Sequence, residues 1–206
     1  MFDWMLSRKH AISILKKDHD TVKALFDKFE KTENRAARNK IIAKAVSELK
    51  AHAVIEEEIF YPAVRAKVGA KIMNEADEEH HVAKVLIAEL DGRMKDEGHR
   101  DAKFTVLAES VRHHIQEEEN EMLPKAKNLD IDFEALGETM RARKEELLTE
   151  GFPPDAEHRM VAKSAGRNDS PAAAARKKKS AGTRKASVKT VAAHGAKGKR
   201  RPHAAH

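Results

Sequence analysis

Two similar segments decide the fold: His52-Ala-Val-Ile-Glu56-Glu-Glu-Ile-Phe-Tyr-Pro62 and His114-Ile-Gln-Glu-Glu118-Glu-Asn-Glu-Met-Leu-Pro124. The histidine, the glutamate four residues later and the proline ten residues later coincide at an offset of 62 residues. Residues four apart lie on one face of an α-helix, so each histidine and its glutamate point the same way. The repeat predicts two helices that each carry a His-x-x-x-Glu pair.

A second repeat precedes each of these segments. Asp18-His19 aligns with Glu79-His80 at an offset of 61 residues. At the same offset, the apolar residues that follow His19 align with those that follow His80. Because the two offsets are nearly equal, the region before the last predicted helix is interpreted as two copies of one helical hairpin. Each copy supplies a lone histidine and then a His-x-x-x-Glu pair.

The repeated histidines and glutamates fall within apolar stripes at helical spacing. In the first helix the stripe is Ile12, Leu15, His19, Val22, Phe26 and Phe29. An ionised carboxylate on such a core face costs several kcal/mol unless it is paired or binds a cation. Two divalent cations bridged by Glu56 and Glu118 would satisfy these groups, with His19 and His52 on one ion and His80 and His114 on the other.

The chemistry of these side chains limits which metal is expected. The chain has no cysteine, which excludes thiolate zinc sites and iron–sulfur clusters. Imidazole and carboxylate ligands suit iron, and they also accept manganese or zinc. The competing interpretation is a metal-free set of hydrogen-bonded core histidines.

Two further histidines, His81 and His113, are adjacent in sequence to the candidate ligands His80 and His114. His81 competes with His80 as the candidate ligand, and both the repeat and the apolar stripe favour His80. His113 and Glu117 also form a His-x-x-x-Glu pair, but their face carries polar residues. That face is typical of a solvent-exposed surface.

The helical pattern predicts an all-α fold, an up-down antiparallel four-helix bundle with an extra C-terminal helix. Glycines and prolines mark the breaks, and Thr32 and Asn34 are candidate N-caps. The five helices are expected, within a few residues, at 10–31, 35–61, 70–95, 101–123 and 132–149. Residues 1–150 form the predicted domain, and 151–206 form a disordered tail rich in Lys, Arg and Ala.

Charge divides the chain in the same place. Residues 159–206 carry a formal charge of +13, whereas residues 1–158 carry −7. A tail of this kind predicts phosphate-driven, non-specific nucleic-acid binding through residues 159–206, without base stacking because no aromatic residue follows Pro153. The alternative is a solubilising tail that contacts the acidic body of the chain or an anionic membrane surface. No stretch is apolar enough to span a bilayer, and a cytoplasmic location is expected.

The quoted motifs resemble the hemerythrin-like, HHE cation-binding family over about residues 10–125. The resemblance implies two iron ions joined by an oxo or hydroxo group, with ligands at His19, His52, Glu56, His80, His114 and Glu118. Oxygen-carrying members have a further histidine four residues after the third-helix ligand, where this chain has Lys84. The resemblance is therefore closer to bacterial and iron-sensing members.

These observations support three hypotheses about function. The first is a di-iron protein that binds or senses O2, NO, peroxide or iron. The second is an enzyme at the same centre, either a ferroxidase or an NO or peroxide reductase. The third is a nucleoid-associated protein that acts through the basic tail, with the helical domain as a structural body.

Overall fold

The computed structural model describes residues 7–91, 97–153 and 155–166. Within these ranges the regular secondary structure is helical throughout, without a strand, as the sequence predicts. The helices are α1 Ala11–Glu30, α2 Arg35–Ile55, α3 Tyr61–Val68, α4 Ala70–Asp91, α5 Glu97–Glu117, α6 Leu123–Ala126, α7 Phe133–Glu150 and α8 Ala156–Gly166. Among the described helices, none combines the length and apolar character needed to cross a membrane.

Short polar residues cap the N-termini of two helices, α2 and α7. Asn34, rather than Thr32, caps α2 by accepting a hydrogen bond from the backbone N–H of Ala37 at 3.0 Å. Asp132 caps α7 by accepting bonds from the N–H groups of Glu134 and Ala135. The break between α3 and α4 falls at Gly69, whose φ of +114° suits glycine.

The two prolines do not end their helices, which corrects the expectation of breaks at Pro62 and Pro124. Each lies in the first turn of a continuing helix, α3 or α6, and follows a single π-helical turn at Glu56–Phe60 or Glu118–Met122. In the first of these turns the N–H of Tyr61 donates to the carbonyl of Glu56, five residues back. A wider turn gives room for the proline ring, which would clash with a carbonyl in an α-helix.

The long helices pack in two pairs. Helix α1 lies against α2, and α4 lies against α5, while contacts of α2 with α4 and of α1 with α5 join the pairs. The buried apolar residues form two clusters. The first includes Leu15, Ile55 and Ala76, and the second includes Val22, Leu49 and Ile87.

The C-terminal helices extend this core. Helix α7, expected as an appended element, packs on α1, α2 and the first π turn. Its approach needs a glycine, because a methyl group at Gly137 would overlap the backbone of Lys9. Helix α8 is not among the predicted helices. It lies in the segment predicted to be disordered, whereas residues 167–206 of that tail lie outside the described residues.

Candidate metal centre

The six predicted site residues converge between the two apolar clusters. In α1, His19 lies between Leu15 of the first cluster and Val22 of the second, and His52 in α2 lies between Ile55 and Leu49. All six side chains are buried: His19, His52, Glu56, His80, His114 and Glu118. The two glutamates are the first residues of the two π turns. The interruption of the apolar core is therefore a single polar centre.

The donor atoms form two overlapping groups. In the first, single atoms of His19, His52, Glu56 and Glu118 all lie within 4.8 Å of one another. In the second, Glu56 meets the two remaining histidines, His80 and His114, within the same limit. The histidines thus form two pairs, with ring centroids 4.9 Å and 4.7 Å apart.

Glu56 lies between the two histidine pairs. Its Oε2 atom is 3.2 Å from Nε2 of His52 and 3.4 Å from Nε2 of His80. Glu56 therefore lies close to a member of each pair and could be shared between two ions.

Glu118 occupies the corresponding position opposite. Its Oε2 atom is 3.2 Å from Nε2 of His19 and 3.6 Å from Nε2 of His114. The two glutamates, equivalent in the sequence repeat, are also equivalent in the site.

Carboxylates outside the centre face Nδ1 of each histidine. Hydrogen-bond distances of 2.8 to 2.9 Å join His19 to Glu119, His80 to Glu57 and His114 to Glu79. Asp18 lies 3.6 Å from Nδ1 of His52, beyond hydrogen-bond length. A carboxylate at Nδ1 fixes the ring so that Nε2 faces inward.

Lysines accompany three of these four outer carboxylates. Lys23 lies 3.3 Å from Glu119, and Lys84 lies 3.0 Å from Glu57. Lys144 of α7 lies 2.7 Å from Asp18. These lysines offset the negative charge of the carboxylates that face the histidines.

Several buried polar atoms in the centre have no hydrogen-bond partner among the described residues. Five of them are Nε2 of His19, Nε2 of His52, both carboxylate oxygens of Glu56 and Oε2 of Glu118, and the sixth is Nδ1 of His52, which faces Asp18. Buried polar atoms are nearly always satisfied in native proteins, and an unsatisfied one costs about 1–3 kcal/mol. Cations bound between them would satisfy all five atoms, so the residues present fit a metal centre.

Proton affinities in the centre differ sharply between equivalent residues. Burial raises the pKa of Glu56 well above its ordinary value, and the nearby Glu118 charge adds to this. Burial also acts against ionisation of Glu118, but the positive charges of His114 and His19 outweigh it and lower its pKa. Without a cation, the two carboxylates therefore do not carry equal charge.

The two histidines of the first pair also differ. Burial disfavours the charged form of His19, yet the nearby carboxylate of Glu118 and the hydrogen bond to Glu119 raise its pKa to about 9. Burial lowers the pKa of His52 to about 4, against the raising effect of Asp18. His52 is thus neutral at neutral pH, the form in which imidazole binds a metal.

Tyr61 is a residue of the centre that the apolar stripes do not identify. Its hydroxyl donates to Oε1 of Glu118 at 2.9 Å and lies 3.1 Å from Nε2 of His80. The side chain is buried, and burial together with the Glu118 charge raises its pKa. It is the one tyrosine in the chain and lies five residues after Glu56. In a regular α-helix that spacing would not place it on the face of Glu56, so the sequence identifies it only if the π turn is known.

The adjacent His81 lies outside the centre. Its side chain is half exposed, and its Nδ1 is 2.9 Å from a carboxylate oxygen of Glu157 in α8. The structure therefore brings His80 into the cluster and leaves His81 near the surface. Lys84, at the position of the further histidine of oxygen carriers, lies beside Glu57.

Comparisons with known proteins identify the family of the helical region. Residues 10–126 match the family model described as the hemerythrin HHE cation binding domain. An uncharacterized protein of Mycobacterium tuberculosis, Rv2633c, is 29% identical over 142 residues, which is 67% of this chain and 87% of that protein. A DNA nickase of Nostoc sp. is 24% identical over 115 residues, covering 56% of this chain and 33% of that protein.

One solved structure is also similar. It is the crystal structure of a hemerythrin HHE cation binding domain-containing protein, the Rv2633c homolog from Mycobacterium kansasii. The TM-score is 0.59 at 27% identity, over 68% of this chain and 88% of that one.

Proposed function

Because the chain belongs to the hemerythrin HHE cation-binding domain family, we propose that its buried histidine and glutamate cluster is a di-iron centre that binds a small ligand. The long helices α1, α2, α4 and α5 would form the antiparallel up-down four-helix bundle around it. The pairing of α1 with α2 and of α4 with α5 supports this arrangement.

The ligand assignment follows the two groups of donor atoms. His19 and His52 would bind one ion, and His80 and His114 the other, with Glu56 and Glu118 shared. The observation that carries the proposal is the set of unsatisfied buried atoms on His19, His52, Glu56 and Glu118, which a pair of cations would satisfy. Manganese or zinc would suit the same ligands, so the identity of the metal has to be measured.

The surrounding residues prepare the site for binding. Outer carboxylates bond Nδ1 of His19, His80 and His114, so that Nε2 of these rings faces the centre, where a metal would bind. Bound iron would supply one-electron chemistry and open coordination positions for O2, NO or peroxide. Tyr61 places a hydroxyl beside Glu118, where it can donate a hydrogen bond within the closed site.

A small cavity supports a small ligand. About 30 Å³ of space lies beside the four histidines, walled by apolar side chains that include Val22, Leu49, Ile87 and Val111. This volume holds a molecule of one or two heavy atoms, and its apolar walls disfavour water. A diatomic gas fits the space better than a metabolite does.

Metal analysis of purified protein tests the proposal. We expect about two iron ions per chain in the parent and loss of one or both in His114→Ala, with helical content kept. His81→Ala is the matched control, because that histidine lies outside the cluster, and it should keep its iron. Iron content unchanged by His114→Ala, or an anaerobic Mössbauer spectrum without coupled iron in the parent, would overturn the di-iron assignment.

Rapid mixing of the ferrous protein separates binding from catalysis. Reversible spectral changes with O2 or NO, without turnover, are expected of a carrier or sensor. Sustained consumption of peroxide, NO or Fe²⁺ would instead favour the ferroxidase or reductase alternative.

We also propose that the basic tail binds nucleic acid without sequence preference. The formal charge of +13 on residues 159–206 supports this proposal, and the structure describes this segment only as far as residue 166. DNA affinity falls as salt rises, and a plot of the logarithm of affinity against the logarithm of salt concentration is a line of negative slope. Each phosphate that the protein neutralises makes this slope steeper by about 0.9. Replacing Lys177, Lys178 and Lys179 with Gln should therefore weaken DNA binding and reduce that slope, whereas the same change at the exposed Lys67, Lys125 and Lys127 should not. Equal slopes in both variants would refute the tail's role.

A further inference from the structure

A third group of metal-ligating side chains lies at the surface. Atoms of Glu79, His113 and Glu117 all lie within 4.8 Å of one another. Nε2 of His113 is 3.3 Å from Oε1 of Glu117 and 3.8 Å from Oε1 of Glu79. The His113 side chain is 65% exposed, so a cation could reach the group from solvent.

Charge balance distinguishes Glu79 from the other outer carboxylates. Asp18, Glu57 and Glu119 each have a lysine within 3.3 Å. Among the described residues Glu79 has no lysine partner, and its charged oxygens face His113 and His114. A lysine offsets the negative charge of each of the other three carboxylates. The charge of Glu79 is not offset in this way and can attract another cation.

An acidic cleft joins this surface group to the buried centre. Its volume is about 90 Å³, enough for a few water molecules or a partly hydrated ion. It is lined by Glu79 and Glu117 of the surface group and by His114 and Glu118 of the centre. The other lining residues are Ile72, Glu75, Ala76, Glu121, Met122 and Lys71, which lies 3.4 Å from Glu75. A cleft lined mostly by one sign of charge concentrates cations.

The inner end of the cleft carries an independent sign of a ligand. Glu118 lines the cleft, is 1% exposed, and has an Oε2 atom without a hydrogen-bond partner among the described residues. An acidic surface patch alone has no such feature. The unsatisfied Oε2 atom of Glu118 can bind a cation that enters the cleft.

We propose that Glu79, His113 and Glu117 form a third divalent-cation site, at the mouth of a cleft through which metal reaches the buried centre. One imidazole and two carboxylates suit Fe²⁺, Mn²⁺ or Zn²⁺, with water completing the coordination on the exposed side. Exposure makes this site weaker than the buried centre. Its delivery role rests on the proposed di-iron centre, whereas cation binding at the surface does not.

Equilibrium dialysis of the full-length protein against Mn²⁺ tests the site. The double variant His113→Ala/Glu117→Gln removes two ligands and keeps Glu79, which holds His114. The control His99→Ala/Glu109→Gln makes the same changes at exposed positions of the same helix, α5. We expect the parent and the control to bind one more ion per chain at saturation than the double variant does.

The outcomes separate this site from the buried centre. Equal Mn²⁺ stoichiometry in the parent and the double variant would overturn the third site. A difference of one ion, with the buried centre empty in all three proteins, would support the surface site and refute the di-iron proposal. Circular dichroism establishes that the variants are folded.

Loading kinetics test the delivery role. Co²⁺ binding to the buried centre is followed by its visible absorption after rapid mixing with metal-free protein. The double variant should load roughly tenfold more slowly than the control, because cation focusing at the cleft is reduced, and should reach the same final absorbance. Equal loading rates would overturn delivery through this cleft.

Discussion

Each candidate ligand histidine faces a carboxylate that is next in sequence to a different candidate ligand. Asp18 precedes His19 but faces His52, and Glu57 follows Glu56 but bonds His80. The second half of the repeat shows the same relation, since Glu119 follows Glu118 but bonds His19. The residue next to one candidate ligand therefore contacts the imidazole ring of another candidate ligand on a different helix. These contacts couple the helices at the centre.

Substitution of one outer carboxylate tests this coupling. Glu57→Gln should lower metal affinity about 10- to 100-fold, because the charge that orients His80 is removed. Glu58→Gln is a matched control at the adjacent residue, which pairs with Arg143 at the surface, and it should leave the affinity unchanged. Competition with a chromophoric chelator measures both. An equal fall in affinity in the two variants would contradict a positioning role for Glu57.

Helix phase locates the candidate ligands but not their partners. The apolar stripes place His19 and His80 on core faces, and the structure brings both into the cluster. That Glu57 and Glu119 reach histidines of other helices depends on distances between helices, which the sequence does not contain. Tyr61 enters the site because the π turn rotates the helix after Glu56, a shift that a regular helical period does not predict.

At the scale of elements, α7 supports the centre from outside the family match, which ends at residue 126. Lys144 of this helix is 16% exposed and contacts both Asp18, at 2.7 Å, and Glu48, at 3.1 Å. Although burial opposes ionisation of Asp18, His52 and Lys144 lower its pKa. The helix thus stabilises the charged carboxylate that faces His52.

Removal of the Lys144 charge tests this role of α7. Lys144→Met keeps most of the apolar stem but leaves Asp18 without its cation, so metal affinity should fall about tenfold, in the range known for outer-shell changes. Arg141→Met removes a charge from an exposed position of the same helix and should have no effect. Chelator competition gives the affinities, and urea unfolding shows whether α7 is still docked. Unchanged affinity in Lys144→Met would show that α7 is only a packing element.

Most of the elements can be predicted from the sequence, because Gly69 and Asn34 mark ends that the structure places at the same residues. The exceptions have physical causes. The sequence predicts a helix end at Pro62, but the preceding π turn accommodates its ring. Helix α8 has few apolar residues, and its buried Glu157 pairs with His81, a contact between distant parts of the chain.

At the scale of the whole molecule, the polar centre divides the core into two apolar clusters. The cluster that contains Leu15 and the one that contains Val22 lie on either side of the histidines. Apolar packing alone therefore does not fill the middle of the domain. Stability there depends on satisfying the polar atoms, so metal binding and folding should be coupled.

Removal of metal should therefore lower the melting temperature of the whole domain. A metal held at 100 times its Kd stabilises the folded state by about 2.7 kcal/mol. For a domain of this size the corresponding fall in Tm is roughly 5 to 10 °C. Calorimetry of metal-loaded and chelator-treated protein measures the difference, and His114→Ala is the control, because a protein with fewer ligands should show a smaller shift. The same Tm with and without metal in the parent would mean that the unsatisfied atoms of Glu56 and His52 are stabilised by something other than a cation.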